Sequence, residues 1–82
     1  MKDEALYCLY LYNDNINPFN RIVKILTEVL DWTVYQSEQC ALMAHENDKT
    51  VLKRGTYTEL AKYCKAIKKA GITAAIQLDE GV

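Results

Sequence analysis

The chain has 82 residues, half of them hydrophobic and about a quarter charged, a composition that suits one small globular domain and excludes a disordered segment. A net charge of −1 leaves no global electrostatic case for nucleic acid or an anionic membrane, and no apolar run approaches the roughly 18 residues a membrane span needs. Cys8, Cys40 and Cys64 are odd in number, far apart and without a C-x-x-C, so neither a zinc knuckle nor a dithiol redox pair is indicated, and reduced thiols in a cytoplasmic protein are expected.

The N-terminus, Met1-Lys2-Asp3-Glu4-Ala5, is charged and lacks the apolar core of a signal peptide. Leu6 to Tyr12 then alternates, with Tyr7, Leu9 and Leu11 on one side and Cys8, Tyr10 and Tyr12 on the other. This predicts a strand whose Tyr7/Leu9/Leu11 side packs on helices. The Cys8/Tyr10/Tyr12 side is expected to be open or covered by a partner. Tyr12-Asn13-Asp14-Asn15-Ile16-Asn17-Pro18 follows as a turn, because short Asn and Asp side chains bond the local backbone and tolerate left-handed conformations. Asn17-Pro18 reads as a helix N-cap followed by proline at the first helical position.

From Pro18 to about Leu30, Phe19, Ile22, Val23, Ile25, Leu26, Val29 and Leu30 recur at helical spacing, with Asn20, Lys24, Thr27 and Glu28 on the other side. Thr33 and Gln36 have the spacing of a capping box, which predicts a second helix from about Val34 to Glu46 with Cys40, Ala41, Ala44 and Met43 as its apolar members. Ala41 and His45, four apart, share one stripe of that helix. Thr50 to Arg54 reads as a short strand stopped by Gly55. Thr56 or Thr58 caps a third helix through Leu60, Ala61, Cys64, Ile67 and Ala70, ended by Gly71, with Lys62, Lys65 and Lys69 on its outer face. Ala74 to Leu78 is a last strand. The order βααβαβ, with one apolar face per element, predicts a single α+β domain over residues 1–82. It is a two-layer α/β sandwich in which helices cover one face of a three-stranded sheet and leave the other face uncovered.

In this order the chain resembles the ClpS family, adaptors of the bacterial Clp protease. Asn13-Asp14-Asn15-Ile16-Asn17-Pro18 is similar to the family's N-D-D-x-T-P segment, the following helix has its length and spacing, and His45 falls at its second-helix histidine. Gly55-Thr56-Tyr57-Thr58-Glu59-Leu60-Ala61 is similar to its G-x-[YF]-T-x-E-x-A stretch. The resemblance implies the ClpS-like fold, an antiparallel sheet covered by three helices. It also implies recognition of N-degrons, proteins bearing a bulky hydrophobic N-terminal residue, and their delivery to a AAA+ Clp unfoldase. On that pattern Asn13, Asp14 and His45 contact the α-amino group, Asn17, Phe19, Ile22, Ala41 and Ala44 line the side-chain pocket, and Glu59, Lys62 and Lys65 lie where the family touches the N-terminal domain of the unfoldase.

The sequence departs from the pattern at several points. Asn15 replaces the third acidic position, Asn17 the threonine, Phe19 and Ala41 two pocket methionines, and Asp48 a glycine. Alanine at 41 implies a pocket wider at its mouth, unless Phe19 fills the space. Only about five residues precede the first strand, so the family's long N-terminal extension is expected to be missing.

Two other readings stand beside this one. A plain interaction module could keep the scaffold, lose degron binding and use Cys8, Tyr10 and Tyr12 on the open sheet face, as a monomer or weak dimer. Nucleic-acid binding would need Tyr10/Tyr12 stacking together with the Lys62/Lys65/Lys69 stripe, and is disfavoured by the charge. No activated nucleophile, acid–base pair, phosphate loop or metal cluster is recognisable, so neither an enzyme nor a cofactor or metal is expected.

Overall fold

The computed structural model describes residues 6–13 and 16–79. The elements run β1 (Tyr7–Tyr12), α1 (Phe19–Leu30), α2 (Val34–Asn47), β2 (Lys49–Gly55), α3 (Tyr57–Lys69) and β3 (Ala74–Leu78). The sheet has the order β2-β1-β3, with both neighbours antiparallel to the central β1. Helices α2 and α3 lie over β2 and β3, and α1 packs against both helices. The α+β sandwich expected from the sequence is therefore the one observed.

Helix α1 buries Ile22, Val23, Leu26 and Leu30, the stripe set by its spacing. These join Leu9, Leu11, Leu52, Leu60, Ile67 and Ile72 in one core. The start of α1 differs from the expected Asn17 cap. Pro18 is the N-cap residue, in extended conformation, and its carbonyl accepts the backbone N–H of Arg21 (3.0 Å) and Ile22 (3.2 Å). The Asn17 amide is engaged elsewhere, on the carbonyl of Gly71 (2.9 Å), so it does not cap the helix.

Helix α2 starts with the complete Thr33/Gln36 capping box. Its buried residues are Ser37, Ala41 and Ala44, whereas Met43, expected among the apolar members, is exposed. Small side chains at i, i+4 and i+7 form the inward face, and Met43 falls off that stripe. Ser37 is fully buried without an unpaired atom, because its hydroxyl lies 2.8 Å from Thr27 Oγ1 on α1.

Helix α3 is capped by Thr56 rather than Thr58, with the Thr56 hydroxyl accepting the Glu59 N–H (3.2 Å). It ends as expected at Gly71, at φ 90. There the Gly71 N–H reaches the Lys68 carbonyl (2.9 Å) and the Ile72 N–H the Ile67 carbonyl (3.3 Å), the paired bonds of a Schellman end. Ile72 is buried beyond it.

A bulge between Leu9 and Tyr10 shifts the β1–β2 register. Lys53, paired with Leu9, and Leu52 both lie on the helix side of the sheet, Lys53 over the Tyr63 ring of α3 and Leu52 in the core. The opposite face corrects one expectation: Cys8 is not an exposed interface residue but only 3% accessible. It sits on the central strand, flanked by Arg54 of β2 and Gln77 of β3. Arg54 is in turn tied to Asp79 (2.8 Å). Tyr10 and Tyr12 remain half-buried, their rings 6.4 Å apart with the Lys49 ammonium 4.8 Å from the Tyr10 centroid.

Candidate functional site

The end of β1 is held beside the last turn of α2 by the β1–β2 pairing, which reaches Tyr12 and Lys49, and by one further backbone bond. The Asn13 N–H donates to the carbonyl of Asp48 (2.7 Å), at the end of α2, where Asp48 turns the chain with φ 73. Asn13 is thereby held near His45, three residues before Asp48 and in the last turn of α2. The first turn of α1 closes the third side. The space enclosed is a cavity of about 320 Å³, lined by Leu11, Tyr12, Asn13, Asn17, Phe19, Ile22, Ala41, Ala44 and His45.

Its chemistry is graded. Ile22, Ala41 and Ala44 are buried and form an apolar wall. Phe19 is 42% exposed, so its ring has not closed into the core. Asn13 and His45 are exposed and supply polar groups to the cavity lining. A concave, mainly apolar space with a few convergent polar groups is the usual form of a small-ligand or side-chain pocket, and 320 Å³ lies at the lower end of that range.

Seven of the residues expected at the site thus share one cavity: Asn13, His45, Asn17, Phe19, Ile22, Ala41 and Ala44. Asp14 lies outside the described residues. Leu11 and Tyr12 line the cavity without having been expected there. Arg21 was also missed. Its Nη1 donates to Asn17 Oδ1 (3.1 Å) and to the Ala70 carbonyl (2.8 Å). The only sequence signal for it was the i, i+4 spacing from Asn17.

Glu59, Lys62 and Lys65 are exposed on α3, away from this cavity. Lys65 borders a second, more open cavity of about 480 Å³ between α3 and β3, with Tyr57, Ala61, Cys64, Lys68, Lys69 and Ile76. The lysines of α3 and the Tyr10/Tyr12 pair lie on opposite sides of the sheet, so they do not form the joint surface that base stacking beside a cationic stripe would require. Among the described residues no group of acidic, His and Cys side chains could hold a metal ion, and no helix is long and apolar enough to cross a membrane. The three cysteines are free, and burial pushes the Cys40 thiol up from its ordinary pKa, the opposite of an activated nucleophile.

Comparison with known proteins gives concordant results. The chain is similar to the ATP-dependent Clp protease adapter protein CLPS1, chloroplastic, of Chlamydomonas reinhardtii, with 29% identity over 77 residues. That match covers 93% of this chain and 48% of the relative, so the chain spans about half the length of the curated relative it matches. Among solved structures it matches Agrobacterium tumefaciens ClpS2 bound to L-phenylalaninamide, with a TM-score of 0.80 over 94% of this chain and all of that one. At 18% identity this likeness speaks for the fold. The family model for the ATP-dependent Clp protease adaptor protein ClpS matches residues 2–76, nearly the whole sequence, and the chain belongs to the ClpS family.

Proposed function

We propose that the protein is a non-enzymatic Clp protease adaptor that captures the N-terminal residue of its substrates in the β1/α1/α2 cavity and passes them to a AAA+ unfoldase. The observation that carries this reading is the single cavity that pairs an apolar wall of Ile22, Ala41 and Ala44 with the polar groups of Asn13 and His45. An N-terminal residue has the complementary shape. Its α-amino group is largely protonated at pH 7, with an ordinary pKa of about 7.7–8.0, and offers three donors beside a side chain. The Asn13 amide oxygen and a neutral ring nitrogen of His45 are acceptors for it. All three bonds are charge-assisted, and such bonds are about twice as strong as neutral ones; Asp14 is assigned the carboxylate that opposes the ammonium with a charge of its own. Capture of an N-terminal amine is a recognised mode of peptide binding. L-Phenylalaninamide, the compound bound to the Agrobacterium relative, carries this same pair of features, a free α-amine and an aromatic side chain.

On this reading Glu59, Lys62 and Lys65, exposed on α3 and clear of the cavity, contact the unfoldase, so both partners can be held at once. We assign the protein to the cytoplasm, where its three free cysteines stay reduced.

The test is an NMR titration of labelled protein with short peptides beginning Leu, Phe, Tyr, Trp, Ile or Val, each also as the N-acetylated form. Shifts at Asn13, Ala41 and His45 are expected with the free amines alone, and Asp14→Asn should weaken the binding. No shift with any free-amine peptide up to millimolar concentration, or equal shifts with the acetylated forms, would sink the reading.

A further inference from the structure

Asn17 and Arg21 do more than line and flank the cavity. The Asn17 Nδ2 donates to the Gly71 carbonyl (2.9 Å), and the Arg21 Nη1 donates both to Asn17 Oδ1 (3.1 Å) and to the Ala70 carbonyl (2.8 Å). Ala70 is the C-cap of α3 and Gly71 turns the chain at φ 90. Carbonyls at a helix C-terminus lack intrahelical partners and carry the negative end of the helix dipole. A guanidinium suits that place because it is always charged and presents several donors in a fixed plane. Two of these bonds run to the end of a helix 54 and 49 positions away in sequence, and the third, four positions apart, joins Arg21 to Asn17.

The consequence lies in geometry rather than in bulk stability. Arg21 is exposed and Asn17 half-buried, a setting in which hydrogen bonds contribute modestly to folding. They do hold the segment that enters α1, which carries Asn17 and then Phe19 into the cavity lining.

We infer that Arg21 is a positioning residue for the cavity. It clamps the Asn17 amide against the C-terminus of α3, so that the α1 side of the cavity is ordered before a peptide arrives. What the cavity binds rests on the proposed adaptor function; the clamp itself does not. The Asn17 side chain is committed to α3, and its contribution to binding is the placement of the wall rather than a bond to the amine. Ordering that is complete before binding is not charged against affinity.

The test uses Arg21→Ala, Asn17→Ala and the double variant, with three readouts: affinity for a free-amine peptide beginning Phe, backbone 15N order parameters of residues 16, 17 and 19, and melting temperature. Each single variant should bind about three- to tenfold more weakly, the range for ordering one or two side chains at the moment of binding. The double variant should be no weaker than the worse single one. Order parameters of residues 16, 17 and 19 should fall while the melting temperature stays nearly constant. A purely structural role would instead lower the melting temperature and leave local order unchanged below it. Unchanged order parameters in Arg21→Ala, or losses that simply add in the double variant, would overturn the inference. If the unaltered protein binds no free-amine peptide, the adaptor reading fails, and the order parameters alone decide whether the clamp exists.

Discussion

Ala41→Met tests whether the wall of the cavity reads side-chain size. Ala41 is 4% exposed and lines the cavity, so the three extra heavy atoms of methionine should enter that 320 Å³ space. On the proposed adaptor function, they then occupy room otherwise taken by the first side chain of a peptide. Each methylene equivalent of lost burial is worth about 0.8 kcal/mol, so excluding one or two from a Trp or Phe side chain costs roughly 0.8–1.6 kcal/mol. In affinity this is about four- to fifteenfold. Peptides beginning Val or Ile, which fill less of the space, should lose little or gain from contact with the flexible thioether. Fluorescence anisotropy across a Trp, Phe, Leu, Ile and Val series reads the difference, and urea unfolding of the same protein supplies the control. Overpacking of a filled core would cost about 1–3 kcal/mol of stability. A loss of that size, or equal weakening of every peptide including Val, would show that position 41 presses on the core and does not gate the cavity.

Further expectations follow from the same structure. Thr27 Oγ1 lies 2.8 Å from both the Val23 carbonyl and Ser37 Oγ; with one proton donated to Val23, it accepts from Ser37. Ser37→Ala should therefore cost under about 1 kcal/mol in urea unfolding, whereas Thr27→Val strands the buried Ser37 hydroxyl and should cost about 1–3 kcal/mol; equal costs would refute this assignment of the proton. Gly71→Ala should cost about 1–2 kcal/mol by its left-handed φ alone, since a Cβ there meets nothing within 4 Å. At Gly55 a Cβ would come within 2.5 Å of Glu59 Oε1, the movable end of a side chain, so Gly55→Ala should be the milder of the two. Cys40 has a thiol pKa raised by burial, so the folded state holds its proton to higher pH than the unfolded state. The thiol's effect on stability is absent below the ordinary value of 9.0 and destabilising as pH rises through it. Iodoacetamide should accordingly modify Cys40 before the buried Cys8 and Cys64, yet more slowly than in urea-unfolded protein.

What was legible in the sequence was whatever depends on neighbours a few positions apart. The α1 stripe, the Thr33/Gln36 box and the Gly71 end all rest on contacts within one turn, and the structure matches each of them. Ser37 was within reach by the same rule, since it continues the Ala41/Ala44 stripe one turn earlier, but a hydroxyl gives no hydrophobic signal. Cys8 and Asn17 were not legible. The burial of Cys8 depends on which strands flank β1, and that is set by the β2-β1-β3 order rather than by alternation along the strand. Asn17 stands where a cap would stand, and only the distant Gly71 carbonyl draws its amide away. The cavity lay between these cases. Spacing put Ala41, Ala44 and His45 on one face of α2, but it took the β1–β2 pairing and the Asn13–Asp48 bond that extends it to bring the end of β1 alongside them.

The cavity wall is also the core. Leu11, Ile22, Ala41 and Ala44 line the cavity and at the same time belong to the buried cluster that includes Leu26, fully inaccessible on α1. Leu26→Ala, a core change at a residue outside the cavity lining, should cost about 2–5 kcal/mol by the usual transfer and cavity terms. For a domain of this length, with total stability of about 4–12 kcal/mol, that is a large share. Enlarging the pocket by trimming Leu11 or Ile22 would incur a similar loss. Narrowing it is different, because Ala41 and Ala44 already present the smallest side chains that keep a Cβ, and atoms added there have empty space ahead of them. On the proposed adaptor function, the range of first residues accepted should therefore be tunable in one direction, from α2, with the core and the proposed Arg21–Asn17 clamp left intact.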